Sequence, residues 1–329
     1  MRFRNTLFAL ITLVAVTLIA ISFGPVNLSF GSILKTIFNS SGQLTDTDRT
    51  ILLDIRLPRV LLAIIVGAAL SASGAVYQTV FRNPLADPYL LGAAAGAGLG
   101  ATIAIANTGS SLTSLLPIFA FLGAISAVFF SFLVSGKFFA EPGTLLLSGI
   151  AVGSFATAVQ TYFQQRHSAS LRPVYSWILG DLTGASWSTV RWSAGYICIA
   201  LGVIFYLRKK LDLLLLSDEE AFSLGVNPNK LRIISLAAAT FATATAVAAS
   251  GLIGFVGIVI PHLIRGLTHR ASNQNLPAIA LTGAAFLVLA DLGARLLLSP
   301  AELPIGVVTA FIGAPFFLLI LRKRRLGYK

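Results

Sequence analysis

The chain has 329 residues but only one cysteine, three histidines and twelve acidic residues. A single thiol, Cys198, can build neither a disulfide framework nor a Cys/His metal cluster. It sits within an apolar run, where a buried packing thiol is expected. Charged residues of both signs make up 11% of the chain, against roughly 25% in soluble domains. A soluble fold of this length would lack the polar surface to cover itself. No G-x-x-x-x-G-K-[ST] stretch occurs, so the chain has no phosphate-cradling loop of its own. HExxH, GxSxG and paired intramembrane aspartates are also missing, which removes the residues an intramembrane hydrolase would use.

Apolar sequence takes the place of what is missing. Hydrophobic residues make up 56% of the chain, in recurring runs of about 20 residues, the length that crosses a bilayer core as a helix. The runs are continuous and rich in Leu and Ala rather than alternating, which indicates helices and not a barrel. Ten spans are predicted, at 5–25, 57–80, 89–107, 117–136, 144–165, 190–207, 233–250, 254–268, 276–297 and 305–321. The expected fold is an all-α polytopic membrane protein, one ten-helix domain over 1–329, with a 5+5 internal repeat suggested by the span count. The N-terminus has two arginines and then an apolar stretch. That stretch is long for a signal peptide and has no A-x-A site after it, so it is read as a retained first span. The 29 glycines, in segments such as LGAAAGAGLGA, lie inside apolar helices and suit close helix packing.

The net charge of +12 does not point to nucleic acid, because no basic segment is interleaved with exposed aromatics. It follows the positive-inside pattern instead. With the N-terminus inside, sixteen Lys/Arg fall on cytoplasmic ends and loops, including Lys137, Arg270 and Lys329, and eight fall outside, including Lys35. Both termini are then cytoplasmic.

Two features ask for a mechanism. Residues 208–232, inside, carry the densest charge of the chain. Ser217 can cap a short helix over roughly 218–224, with Glu219 and Glu220 in its first turn and Gly225 ending it. Ala221, Phe222 and Leu224 would be available for contact, which suits docking onto a cytosolic partner. On the outside, Arg56 and Arg59 flank the start of the second span, and Arg295 ends the ninth. Positive charge there runs against the inside bias. It would serve either headgroup snorkelling or a socket for an acidic partner. Asp291 lies i,i+4 from Arg295 and can pair part of its charge.

RLPRVLLAIIVGAALSASGAVYQTVFRNPLADPYLLG, EEAFSLGV, GLIGFVGIVIPHLIR and ADLGARLLLSPAELPIGVVTAFIGAPFFLLIL, in this order over about residues 50–321, resemble the FecCD/BtuC-type permeases. These are the membrane subunits of binding-protein-dependent ABC importers for iron–siderophore complexes, haem and cobalamin. The resemblance implies ten helices per subunit and a path between two permease subunits in a bacterial cytoplasmic membrane; one full-length ten-span subunit suggests a homodimer, with two related chains as the alternative. It implies two cytosolic ATPase subunits docked at Glu219, Glu220, Ala221, Leu224 and Gly225. An extracytoplasmic binding protein would meet Arg56, Arg59 and Arg295. It also implies a cytoplasmic gate at Asn83 and Leu85 and at Pro142 and Gly143. The cobalamin permease carries small hydroxyl residues at the last two positions, and this departure weakens cobalamin as the cargo. No cofactor and no covalent chemistry are implied for this subunit. The expected cargo is a ferric siderophore, with haem and cobalamin as alternatives.

The rival class is an ion-coupled transporter, which needs carboxylates or histidines near mid-membrane. Its candidates here are Asp291 and His262.

Overall fold

The computed structural model describes residues 2–24, 45–108, 115–136, 142–167, 171–268 and 275–326. Most of the predicted outer segment 26–56, with Lys35, lies outside these residues, as do Lys137, Arg270 and Lys329. Ten helices occupy the ten predicted spans. They are α1 (Arg2–Ser22), α2 (Leu57–Val80), α3 (Ala93–Thr108), α4 (Leu116–Val134), α5 (Pro142–Arg166), α6 (Trp187–Leu211), α7 (Pro228–Ser250), α8 (Val256–Thr268), α9 (Leu276–Leu296) and α10 (Ile305–Leu326). Seven are long and apolar enough to cross a membrane, while the apolar parts of α3, α8 and α10 are shorter. Short helices Asp46–Thr50, Leu171–Ile178 and Asp218–Ser223 lie between spans, and a π-helical stretch, Ile51–Arg56, runs directly into α2.

Helix starts follow local chemistry. Proline stands in the first turn of α2, α4, α7 and α9, where its missing N–H costs nothing and its fixed φ suits the helix. Ser186 and Asn227 cap α6 and α7 by accepting the backbone N–H three residues on.

The core is organised around α2, which packs against α6, α7, α8 and α9. Small residues set how closely the helices approach. A Cβ on Gly67 would collide with the Gly283 carbonyl of α9, and one on Gly96 with the Gly123 carbonyl of α4. Polar side chains join the helices where backbones meet. Ser73 donates to Ala239 O (3.0 Å), Gln78 Nε2 donates to Gly257 O (3.0 Å), and the Tyr77 and Thr240 hydroxyls are 2.7 Å apart. In an apolar surround such groups need partners inside the protein.

The helical run breaks between α7 and α8. Gly251 ends α7 with φ +68°, and Phe255 has φ +69° just before α8. At 13 residues α8 is about 20 Å long, less than a bilayer core of about 30 Å. Residues 251–255, which join α7 to this short helix, have irregular backbone, and inside a bilayer such backbone is tolerated only if the protein satisfies it. Tyr89 does part of this, and the Asp181 N–H does another part by donating to Ser250 O at 2.8 Å.

One expectation fails. Cys198 is exposed. It lies on the outward face of α6 beside Ile199, which is 66% exposed. In a bilayer protein apolar sequence marks lipid-facing sides as well as the core, so an apolar run does not imply burial in protein.

Candidate functional site: two polar poles joined by one helix

α2 connects two groups of charged side chains, one at each of its ends. Its 24 residues separate them by about 36 Å.

The first pole is built on helix Asp218–Ser223. Ser217 and Glu220 form a reciprocal capping box. Glu220 N donates to Ser217 Oγ (3.2 Å), and Ser217 N donates to Glu220 Oε2 (2.9 Å). The backbone N–H and hydroxyl of Ser217 hold the Glu220 carboxyl below its ordinary pKa. The far end closes in a Schellman pattern. Val226 N donates to Ala221 O (3.1 Å) and Gly225 N to Phe222 O (2.9 Å), with Gly225 at φ +79°. Glu219 and Glu220 are exposed, and Phe222 and Leu224 are 53% and 59% exposed. Ala221 was expected on the contact face but is buried, because it is the residue that seats the helix on the bundle.

Two arginines fasten this helix to the spans. Arg232 in α7 grips Asp218 with both Nη atoms (2.9 and 2.5 Å). Arg82, just past α2 at φ +49°, donates to Leu214 O (2.8 Å) and Leu216 O (2.5 Å) and lies 3.4 Å from Asp218. Arg232 chiefly, then Arg82, holds the Asp218 carboxyl below its ordinary range. Sequence reading missed this triad. Its members lie 14 and 136 residues apart, and no local spacing brings them together.

The loop after α2 carries the first pair of expected gate residues. Asn83 is exposed and accepts from Leu85 N (3.0 Å), which shapes the turn, and Leu85 is half-buried. Asp87 then caps the 3-10 helix Pro88–Leu91 by accepting from Tyr89 N (2.8 Å). Burial pushes the Asp87 carboxyl up to about 6, although the Tyr89 N–H works in the other direction. Asp87, Tyr89, Gly92, Gly153, Thr157 and Thr161 are among the residues lining a cavity of about 680 Å³ against α5. Pro142 and Gly143 open α5, and a methyl on Gly143 would meet open space.

The second pole gathers Arg56, Arg59 and Arg295, but not as an exposed socket. All three are buried, at 4%, 7% and 3% exposure. Arg56 Nη1 donates to Ile21 O (2.8 Å) and Ser22 O (3.1 Å), and Arg295 Nη2 donates to Ala20 O (3.1 Å). Two guanidinium groups thus cap the last carbonyls of α1, where positive charge also suits the helix dipole. Arg59 Nε donates to Asp291 Oδ1 (2.8 Å), and its Nη atoms bind Glu302 at 3.1 and 2.8 Å. The Arg295–Asp291 pairing expected from i,i+4 spacing is present, with Nε 3.1 Å from Oδ2. Asp291 is thus held between two arginines. His262 stands edge-on to Phe316, with ring centroids 6.1 Å apart.

Among the described residues no cluster of three or more His, Cys, Asp or Glu is arranged to hold a metal ion. The profile of the FecCD transport family matches residues 12–323. The Fe(3+)-citrate import permease YfmE of Bacillus subtilis is 36% identical, covering 95% of this chain and 92% of its own. The hemin transport permease HmuU of Yersinia pestis is 42% identical, covering 96% and 95%. A solved inward-facing structure of an ABC transporter assigned to the metal-chelate type superposes with TM-score 0.86 at 31% identity. That match covers 97% of this chain and 99% of the other. The fold, the ordered motifs and these likenesses agree, and the chain belongs to the FecCD transport family as a multi-pass membrane permease of the ABC-importer type.

Proposed function

We propose that this permease carries a ferric chelate, a siderophore complex first of all, inward across a bacterial cytoplasmic membrane, driven by ATP hydrolysis on separate subunits. The observation that carries this reading is the first pole. A capped helix presents Phe222, Leu224, Glu219 and Glu220 outward, while Asp218 ties it to α2 and α7. A docking element fastened to two spans can pass a partner's movement into them. Two cytosolic ATPases would seat on these helices, one per permease copy, which puts this pole and both termini in the cytoplasm. Closure of the ATPases would then tilt α2 and α7 through Arg82 and Arg232.

The second copy is read as identical to the first. Leu147, Phe155, Phe311 and Leu318 leave much of α5 and α10 exposed, at 65–76%, and the cavity lined by Asp87 and Tyr89 runs along α5. A path between two such faces, gated at Asn83, Leu85, Pro142 and Gly143, would be wide and almost free of charge. That suits a large chelate which must not stick. An acidic binding protein delivers cargo at the second pole, where Arg59 lines a small cavity.

The test is reconstitution in liposomes with the ATPase and the binding protein. ATP-dependent uptake of a ferric siderophore, outcompeting ferric citrate, hemin and cobalamin, is expected. Uptake by the permease alone under a proton gradient, without ATP, would overturn the reading. Preference for hemin or cobalamin would overturn only the cargo.

A further inference from the structure

Arg59 has two binding edges, and both are occupied. Its Nε edge meets Asp291, which has no exposed surface and is also held by Arg295. Its Nη edge meets both oxygens of Glu302 in a two-pronged pair, the geometry in which a guanidinium recognises a carboxylate best. The two carboxylates differ in freedom. Glu302 keeps 29% of its side chain exposed and ends an exposed stretch that runs from Leu296. The fold takes hold again only at the next residue, where Leu303 N donates to Ala294 O at 3.0 Å.

A small cavity of about 120 Å³ opens at this pair, lined by Arg59, Ser176, Asp181, Thr183, Glu302 and Pro304 among others. At about 30 Å³ per water it holds a few waters, or a carboxylate with its methylene. Asp181 Oδ1 accepts from Thr183 N (2.6 Å) and Thr183 Oγ1 (2.5 Å).

We propose that Glu302 is a built-in stand-in for the partner. Its carboxylate fills the Nη edge of Arg59 in the undocked permease, and an acidic side chain of the binding protein displaces it on docking. This rests on the reading that an acidic binding protein docks at this pole. Charge requires exchange rather than simple opening. If Glu302 left alone, Arg59 and Arg295 would share Asp291 between them, and breaking a buried ionic group by removing one partner is costly. A second carboxylate must enter as Glu302 leaves. The exchange selects an acidic partner, and because one ion pair replaces another it keeps the complex weak enough to part after each delivery.

The experiment measures binding of the transporter's own substrate-binding protein to the permease–ATPase complex in nanodiscs, for wild type, Glu302→Gln and Glu302→Asp, across 50–500 mM salt. Glu302→Gln removes the competing charge. About tenfold tighter binding is expected, together with a steeper loss of affinity with salt, because a new ion pair forms without one being broken. Glu302→Asp keeps the charge but is one methylene short, so it should bind between the two. It also serves as the test if Glu302→Gln does not fold. Equal or weaker binding by a variant that melts like wild type overturns the exchange while leaving docking in place. No binding by wild type overturns the docking reading and the exchange with it.

Discussion

Tyr89 and Ile253 exchange hydrogen bonds. The Tyr89 hydroxyl donates to Ile253 O at 3.1 Å and accepts from Ile253 N at 3.2 Å. One phenol thus satisfies both backbone groups of a residue in the unwound stretch between α7 and α8, and fixes the loop after α2 to it. Tyr89→Phe keeps the ring and removes both bonds. An unsatisfied buried backbone group costs about 1–3 kcal/mol, so a melting temperature several degrees lower is expected in detergent. An unchanged melt would mean that this stretch finds its partners elsewhere.

Gly225 gives a test confined to the backbone. A Cβ there meets nothing within 4 Å, but φ is +79°, a conformation that costs an L residue roughly 1–2 kcal/mol. Gly225→Val should therefore loosen the end of helix Asp218–Ser223 without touching the core. Weaker co-purification of the ATPase with normal permease yield is the expected result. Full retention of the ATPase would show that the end of the helix does not govern docking.

Asp218 separates coupling from stability. Its side chain is 47% exposed, and exposed ion pairs contribute at most about 1 kcal/mol. Asp218→Asn should leave the melt within a few degrees. It should also cut transport per ATP hydrolysed severalfold, because the link from the docking helix to Arg232 and Arg82 is loosened. If transport and hydrolysis stay coupled as in wild type, motion reaches α2 and α7 by another route.

Asp291 should behave in the opposite way. Removing one member of a buried ionic group typically costs 3–5 kcal/mol, since Arg59 and Arg295 would be left facing each other. Asp291→Asn is expected to lower the yield of folded permease sharply at every pH. A well-folded Asn variant that had lost only a proton dependence of transport would instead support ion coupling.

These residues also show where the sequence could be read and where it could not. The ten helices follow from the apolar runs, and seven of them reach the length that bilayer thickness sets without reference to tertiary contacts. Helix Asp218–Ser223 follows from Ser217, Glu220, Gly225 and Pro228, because caps and breakers act over a few residues. The Asp291–Arg295 pair follows from i,i+4 spacing. The partners of Arg59 do not, because Asp291 and Glu302 lie 232 and 243 residues away. Charge bias alone therefore left Arg56, Arg59 and Arg295 open between headgroup snorkelling and a socket for an acidic partner, and it showed none of their buried contacts. The same limit hid the inward turn of Ala221. A six-residue helix has no periodicity long enough to say which side faces the bundle.

Asp87 carries a pH dependence whose sign is fixed. Burial raises its folded-state pKa to about 6, above the ordinary value near 3.9. Below about pH 4 the carboxyl is protonated both folded and unfolded, and its burial costs nothing as a charge. Between about 4 and 6 the unfolded chain has lost this proton and the folded one keeps it, so stability falls as pH rises. Above about 6 the ionised group is held at full cost, about 1–2 kcal/mol for a partly exposed site. Asp87→Asn retains a good cap for Tyr89 N and cannot ionise. The melting temperature of Asp87→Asn should therefore gain on wild type from about pH 4 to 6 and hold its lead above that. A difference that stayed flat across the range would place the Asp87 carboxyl in contact with water.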